Sequence, residues 1–256
     1  MKKQKQRYSK LRNNRGSVLK TMLFSLIVLT MIAISLFYLS RNSQYQLFGE
    51  LVYRVETDQK VVALTFDDGP TPKGSDAILD LLAKENIKST FFLNGSWIKR
   101  YPELTKKIME QGHELANHSY SHHRMVFMSP SRVKKEVDDT TNEIQKLGYE
   151  GEIRFRPPFG KRLVTLPRYL STIGMTTVTW DVAPETFEPE LDTPEKITKR
   201  ALDGVKPGSI VVLHVMHDGP PTLEALPNII SGLKRRGYKF ATVDTLIKYS
   251  AASDRV

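Results

Sequence analysis

The sequence predicts a parallel α/β domain behind one apolar N-terminal helix, and three observations carry that expectation. From residue 61 onward, short β-branched or aromatic runs alternate with longer amphipathic runs. The short runs are apolar along their length, as strands buried on both faces are. Residues with reactive side chains cluster just after those runs. This clustering favours a closed or nearly closed barrel, which builds its site from several strand C-termini. An open doubly wound sheet more often concentrates its site at one switch point, though periodicity by itself allows both.

At the N-terminus, residues 1–20 carry eight Lys or Arg and no acid. Residues 21–40, TMLFSLIVLTMIAISLFYLS, contain no charge, proline or glycine. A helix rising about 1.5 Å per residue needs roughly twenty such residues to cover the hydrocarbon core of a bilayer. The preceding basic tail places the N-terminus in the cytoplasm and the remainder outside. A cleaved signal peptide would carry a shorter apolar region ending in small residues. Here the exit reads Leu36-Phe37-Tyr38-Leu39-Ser40-Arg41, which is bulky, so an uncleaved single-pass anchor is expected. The chain then divides into a basic tail (1–20), an anchor (21–40), a stalk (41–60), a domain (61–247) and a short tail (248–256). A short strand is expected near Leu51–Val55.

Seven strands are expected in the domain: Val61–Phe66, Ser89–Leu93, His113–Ala116, Ile153–Arg156, Met175–Trp180, Ser209–His214 and Lys239–Val243. Helical patterns lie between them. Ser75–Glu85 places Ile78, Leu79, Leu81 and Leu82 at helical spacing, and Ser129–Leu147 opens on Ser129-Pro130 and stops at Gly148. Thr193–Leu202 and Leu223–Arg236 complete the set, the latter ending at Gly237.

Charge and cysteine content exclude two classes of chemistry. The net charge of +10 is concentrated in the first twenty residues; the rest holds 30 basic and 28 acidic residues. A nearly neutral domain lacks the electrostatic footprint of nucleic-acid binding. With no cysteine, any metal site must use His, Asp or Glu.

Four segments can carry chemistry. Thr65-Phe66-Asp67-Asp68-Gly69-Pro70 exposes two adjacent carboxylates at a strand end. Neighbours on a strand point to opposite sides, so the two need not do the same work. His118-Ser119-Tyr120-Ser121-His122 spaces two imidazoles four apart, which on a helical turn puts them on one face. Two His and one Asp with an open position form a hydrolytic metal site. His123 would face elsewhere, and His113, at a strand start, reads as structural. Arg156-Pro157-Pro158-Phe159-Gly160 is a rigid loop in which the first free N–H after Arg156 is on Phe159, able to hold an oxyanion. Arg156 could orient a carboxylate in bidentate fashion. Ile210-Val211-Val212-Leu213-His214 ends a strand on a histidine suited to general acid work, with His217 in His217-Asp218-Gly219 as a competitor.

Together these segments resemble the polysaccharide deacetylase family, also called the NodB homology domain or carbohydrate esterase family four. The resemblance spans about residues 60–247, and the Thr-Phe-Asp-Asp-Gly-Pro and His-Ser-x-x-x-His elements in this order are its most specific part. It implies a distorted (β/α)7 barrel behind the single membrane helix. It also implies that Asp67 is the catalytic base and that Asp68, His118 and His122 hold one divalent metal. By the same resemblance Arg156 holds Asp67, and Phe159, standing where tyrosine is usual, acts through its backbone amide. His214 is the general acid and Leu213 lines the acetyl pocket, with Pro157 and Trp180 as further substrate contacts. The fourth motif departs: after Trp180 the family often shows Asp-x-x-Asp-Trp, whereas this chain reads Ala183-Pro184-Glu185-Thr186-Phe187. Asp181 or Glu185 could stand in for the missing aspartate.

The expected activity is removal of N-acetyl groups from N-acetylglucosamine in a cell-envelope polysaccharide such as peptidoglycan. The expected metal is Zn2+, with Co2+, Mn2+ or Ni2+ compatible with the same ligands. The expected partners are an acetylated glycan and the membrane, the expected form a monomer. Two other readings remain: an O-acetyl esterase on a glycan such as xylan, and a non-catalytic glycan-binding domain of the same fold.

Overall fold

A computed structural model describes residues 2–186, 192–216 and 220–253 of the 256-residue chain. The chain forms two compact units, residues 1–41 and 42–256. The first is one helix, α1 (Lys2–Arg41), whose segment Leu19–Arg41 is long and apolar enough to cross a membrane. The basic tail expected to precede the apolar run is part of the same helix.

In the second unit, β1 (Leu51–Val52) is followed by β2 (Val61–Gly69), α2 (Pro72–Glu85) and β3 (Thr90–Leu93). Next come α3 (Gly95–Arg100), α4 (Pro102–Glu110), β4 (Glu114–Asn117) and α5 (Pro130–Lys146). The chain continues through α6 (Thr165–Thr172), β5 (Thr177–Val178), α7 (Pro194–Gly204) and β6 (Ser209–Leu213). It ends with α8 (Pro220–Arg235), β7 (Lys239–Phe240) and α9 (Val243–Ser253).

All named strand pairings are parallel, as the alternating pattern requires. The main sheet runs β4-β3-β2-β6, with β7 on the start of β2, while β1 and β5 form a separate pair. The expected strand at Ile153–Arg156 is reduced to Phe155, which bridges Asn117 on one side and Thr177 on the other. Pro157 and Pro158 cut it short because neither can donate to a ladder. A further bridge joins Val182 to Val211. The sheet is therefore not one continuous seven-stranded ladder. The last expected strand also stops early, because Val243 begins α9 instead.

Strand β2 organises the core. Its even-numbered residues Val62, Leu64 and Phe66 pack with Leu79, Leu82, Phe91 and Leu93 under the helices. Val61 and Ala63 face a second cluster with Phe92, Ala116, Val178 and Ile210. The same alternation carries Thr65 and Asp67 to that second side. Its alanines leave room there for a large polar side chain, and Arg156, fully buried, occupies it.

Residues 43–46 lie against the domain. Arg162, 2% exposed, donates to the carbonyls of Ser43, Tyr45 and Gly160 and to Gln46 Oε1. Gly208 needs its φ of +77°, and a Cβ there would lie 1.8 Å from the Val55 carbonyl oxygen.

Candidate metal centre and catalytic cleft

The two adjacent carboxylates reach one site because β2 bulges. In its pairing with β3, Asp67 opposes Phe92 and Gly69 opposes Leu93, so Asp68 is the extra residue. Its φ of 67° turns its side chain back toward its neighbour's side. Strand alternation alone would have separated them. Instead, His118 Nε2 lies 3.7 Å from Asp67 Oδ2 and 3.4 Å from Asp68 Oδ1.

The two imidazoles also meet in an unexpected way. Residues 118–122 form a loop, not a helical turn, with positive φ at Ser119 (65°) and His122 (58°). Each such residue costs on the order of 1–2 kcal/mol. The loop still brings the rings together, with centroids 5.0 Å apart.

Asp68, His118 and His122 form a donor set whose ligand atoms lie within 4.8 Å of one another. Asp68 Oδ1 is 3.0 Å from His122 Nε2. It is buried and has no hydrogen bond of its own. His118 Nδ1 is 2.8 Å from the Arg156 carbonyl, which can only accept. The ring proton therefore sits on Nδ1, and Nε2 presents a lone pair to the site. The separations of Asp68 Oδ1 from His118 Nε2 (3.4 Å) and from His122 Nε2 (3.0 Å) are close to the roughly 3.4 Å edge of a tetrahedron with 2.0–2.1 Å bonds. The residues fit a divalent cation with three protein ligands. Burial works against ionisation of Asp68, but contact with His118 and the surrounding imidazoles hold its carboxyl below the ordinary carboxylate range. Burial, then His118, pushes His122 down, which favours the neutral, ligating ring.

Asp67, 1% exposed, sits beside this set. Its Oδ1 accepts from Arg156 Nη1 at 2.7 Å. Nη1 also donates to Thr65 Oγ1 (2.7 Å) and Nη2 to the Thr179 carbonyl (3.0 Å). Arg156 thus holds Asp67 through one nitrogen, not as the bidentate fork expected. The guanidinium lies 3.8 Å from the Phe92 ring centroid and 5.6 Å from that of Trp180.

At the rim, Phe159 adopts φ 58°. Its ring, 43% exposed, packs against His122 at 4.7 Å, with the Arg124 guanidinium at 5.1 Å. Pro157 is buried and its carbonyl closes the turn by accepting from Gly160 N–H. Trp180 packs over Gly160, where a Cβ would meet its ring at 2.9 Å.

The open question in the fourth segment has a geometric answer. Glu185 Oε1 accepts from the His214 backbone N–H at 2.7 Å, and its Oε2 binds His214 Nδ1. Asp181 is turned elsewhere, accepting from Ser209 Oγ and the Ile210 N–H. Burial would lower the His214 pKa, but the Glu185 carboxylate, helped by Asp67 and Asp68, pushes it up to about 9. Leu213, by contrast, is fully buried in the cluster under the helices with Val211 and Val215, away from the Val61–Ala63 side that carries Asp67. Strand alternation is the reason. His217, Asp218, Gly219 and Phe187 lie outside the described residues.

Two more residues shape the site: Asn94, which the sequence places with the other polar residues just after a strand, and Glu136, which sequence reasoning missed. Asn94 donates from Nδ2 to the His118 carbonyl at 2.8 Å. Glu136, 8% exposed, accepts from Tyr120 and Ser121. Its signal was present: it falls on the buried stripe Val133, Glu136, Val137, Thr140, Ile144 of α5.

Residues 54–178 match the family model described as polysaccharide deacetylase. A peptidoglycan-N-acetylglucosamine deacetylase of Bacillus cereus is 32% identical over 202 residues, 78% of this chain and 94% of that relative. The chain belongs to the polysaccharide deacetylase family. This deacetylase chain is also 33% identical over 192 residues to the peptidoglycan-N-acetylmuramic acid deacetylase PdaC of Bacillus subtilis, covering 75% of itself and 40% of that longer relative. Among solved structures, the Bc1960 peptidoglycan N-acetylglucosamine deacetylase superposes with a TM-score of 0.72 at 29% identity, over 77% of this chain and 92% of that one. The matched residues contain Asp67, Asp68, His118, His122 and Arg156; Glu185 and His214 lie beyond the family model.

Proposed function

We propose that this polysaccharide deacetylase removes N-acetyl groups from N-acetylglucosamine units of peptidoglycan, outside a membrane to which α1 anchors it as a single-pass helix with a cytoplasmic N-terminus. The observation that carries the reading is the convergence of the Asp68, His118 and His122 ligand atoms beside the Arg156-held carboxylate of Asp67. The names of its relatives support the substrate. In this reading the bridges at Phe155 and Val182 complete the family's distorted (β/α)7 barrel, and the domain spans 61–247.

Asp68, His118 and His122 would hold the metal, with Zn2+ expected and Co2+, Mn2+ or Ni2+ tolerated by the same donors. When bound, such a cation polarises the acetyl carbonyl and lowers the pKa of a water at the site. Asp67 takes the proton of the attacking water, held in place by Arg156. The Phe159 N–H donates to the oxyanion as it develops. His214, kept charged by Glu185, delivers a proton to the nitrogen as the C–N bond breaks. Acetate and a free amino sugar result. Trp180 and Pro157 wall the cleft.

The test is acetate release by the full chain in detergent, with metal content measured on the same samples. Asp68→Ala and His118→Ala should each lose metal and activity together. Full activity in a metal-free double variant would overturn the reading. The substrate panel should hold peptidoglycan, chitooligosaccharides and acetylated xylan. Release from xylan alone would favour an O-acetyl esterase, and glycan binding without release a non-catalytic domain.

A further inference from the structure

The metal-ligand loop is held from two directions. Its carbonyls are bound by α3 and the residue before it: Asn94 Nδ2 donates to His118 O, Gly95 N–H to Ser119 O and Ser96 N–H to Tyr120 O. Its amides are bound by side chains. Ser119 N–H donates to Asn117 Oδ1 (2.8 Å) and His122 N–H to Ser119 Oγ (3.1 Å). Tyr120 N–H and Ser121 N–H both donate to Glu136 Oε2, at 3.0 and 2.8 Å. The other Glu136 oxygen, Oε1, accepts from Ser121 Oγ at 2.5 Å.

Glu136 is thus a buried carboxylate with three donors, all from the loop that carries two of the three metal ligands. Among the described residues, no Lys or Arg forms an ion pair with it. A buried, unpaired charge is costly unless its hydrogen bonds are complete, so its place on the inner face of α5 calls for a reason. The backbone supplies one. With Ser119 and His122 both in the left-handed region, the loop has no repeating hydrogen-bond pattern of its own. Glu136 replaces that pattern for the two residues between the ligands.

We propose that Glu136 is the positioning residue of the metal centre: by gripping the Tyr120 and Ser121 amides it fixes the separation of His118 and His122 that the cation needs. This inference rests on the metal-centre reading above. Its substance is geometric. The carboxylate's shape and reach matter, and its charge is secondary. Glu136→Gln preserves the grip, since the amide oxygen can accept from both N–H groups while its NH2 donates to Ser121 Oγ. Glu136→Ala removes the grip, and Glu136→Asp keeps the charge but shortens the reach by one methylene.

The experiment measures the Zn2+ dissociation constant of the full chain in detergent, by competition with a chromogenic chelator, for wild type and the three variants. Thermal midpoints of the metal-free proteins are recorded alongside. Positioning predicts that Glu136→Ala and Glu136→Asp weaken Zn2+ by tenfold or more, the effect typical of losing a group that orients a ligand. Glu136→Gln should stay within about threefold of wild type, and affinity should not track the thermal midpoint across the set. Should Glu136→Ala fail to fold, the Asp and Gln pair decides alone. Wild-type affinity in Glu136→Asp, or a loss in Glu136→Gln equal to that in Glu136→Asp, would overturn the proposal. Absence of Zn2+ binding by the wild type would instead count against the metal centre itself.

Discussion

Glu185 accepts hydrogen bonds from both the backbone N–H and Nδ1 of His214, and among the described residues no other carboxylate forms an ion pair with that ring. The family's usual aspartate position is empty of acid here, so a side chain from elsewhere in the same segment supplies the charge. Glu185 raises the His214 pKa against the opposing effect of burial, to about 9. A general acid must be protonated, so activity should persist through neutral pH and fall as pH rises toward 9. Removing Glu185 leaves burial opposed only by the more distant Asp67 and Asp68. In Glu185→Gln the alkaline limb of kcat/KM should move to lower pH by about one to three units. An unmoved limb would mean that His214 is not the acid or that Glu185 does not tune it.

A second prediction separates burial from charge at His113. This ring is 4% exposed, its Nδ1 accepts from Ser89 N–H, and burial, with Lys88 nearby, pushes its pKa down to about 4. The unfolded chain, titrating near 6.5, binds the extra proton first. Stability present above pH 6.5 is therefore lost as pH falls toward 4. His113→Asn keeps an acceptor for Ser89 and cannot titrate. Denaturant midpoints measured across pH 4–7 should fall less steeply in the variant than in wild type.

These two sites show what was legible in the sequence. His113 was readable as structural because it adjoins a strand start, although β4 itself begins one residue later at Glu114, and β2 was readable because its apolar run ends on two acids. The partner of His214 was not: Asp181 and Glu185 both lie after Trp180, and only the path of residues 181–186 decides between them. The His118–His122 pair was identified for a reason that does not hold. A spacing of four suggested a helical turn, yet a loop with two left-handed residues gives the same convergence, and neither residue is the glycine that would signal it. Helices α3, α4 and α6 were missed because each has fewer than ten residues, too few for a periodic pattern to stand out. The bulge at Asp68 has no sequence signature beyond the Gly69-Pro70 that follows.

Gly208 offers a stability prediction independent of the site. Its φ of +77° disfavours any Cβ, and the Val55 carbonyl oxygen stands 1.8 Å from where that Cβ would be, held close because Val55 N–H donates to the Gly208 carbonyl at 2.9 Å. Backbone atoms cannot turn aside as a side chain can. Gly208→Ala should destabilise the domain by at least about 1–2 kcal/mol from the dihedral alone. Chemical denaturation of the variant checks it, and a midpoint equal to wild type would show that β6 can shift to relieve the contact.

The last prediction tests the division of labour between Asp67 and Asp68. Asp68 is a ligand in the proposed centre, so Asp68→Asn should lose metal and activity together. Asp67 holds no metal in that scheme, so Asp67→Asn should retain metal while acetate release disappears. It should also destabilise the fold, because Arg156 is fully buried and Asp67 is its carboxylate partner at 2.7 Å. Breaking a buried pair by removing one member costs about 3–5 kcal/mol, since the remaining charge stays in the interior. Arg156→Met leaves the Thr179 and Val178 carbonyls and Asp67 without their donor and should cost a similar amount. The double variant Asp67→Asn/Arg156→Met removes both charges, so its loss should be smaller than the two single losses added, by about 1–3 kcal/mol of coupling. Strict additivity would mean that Arg156 is held by Phe92, Thr65 and the two carbonyls and not by Asp67, and the reading of Arg156 as the residue that holds the base in place would fall with it.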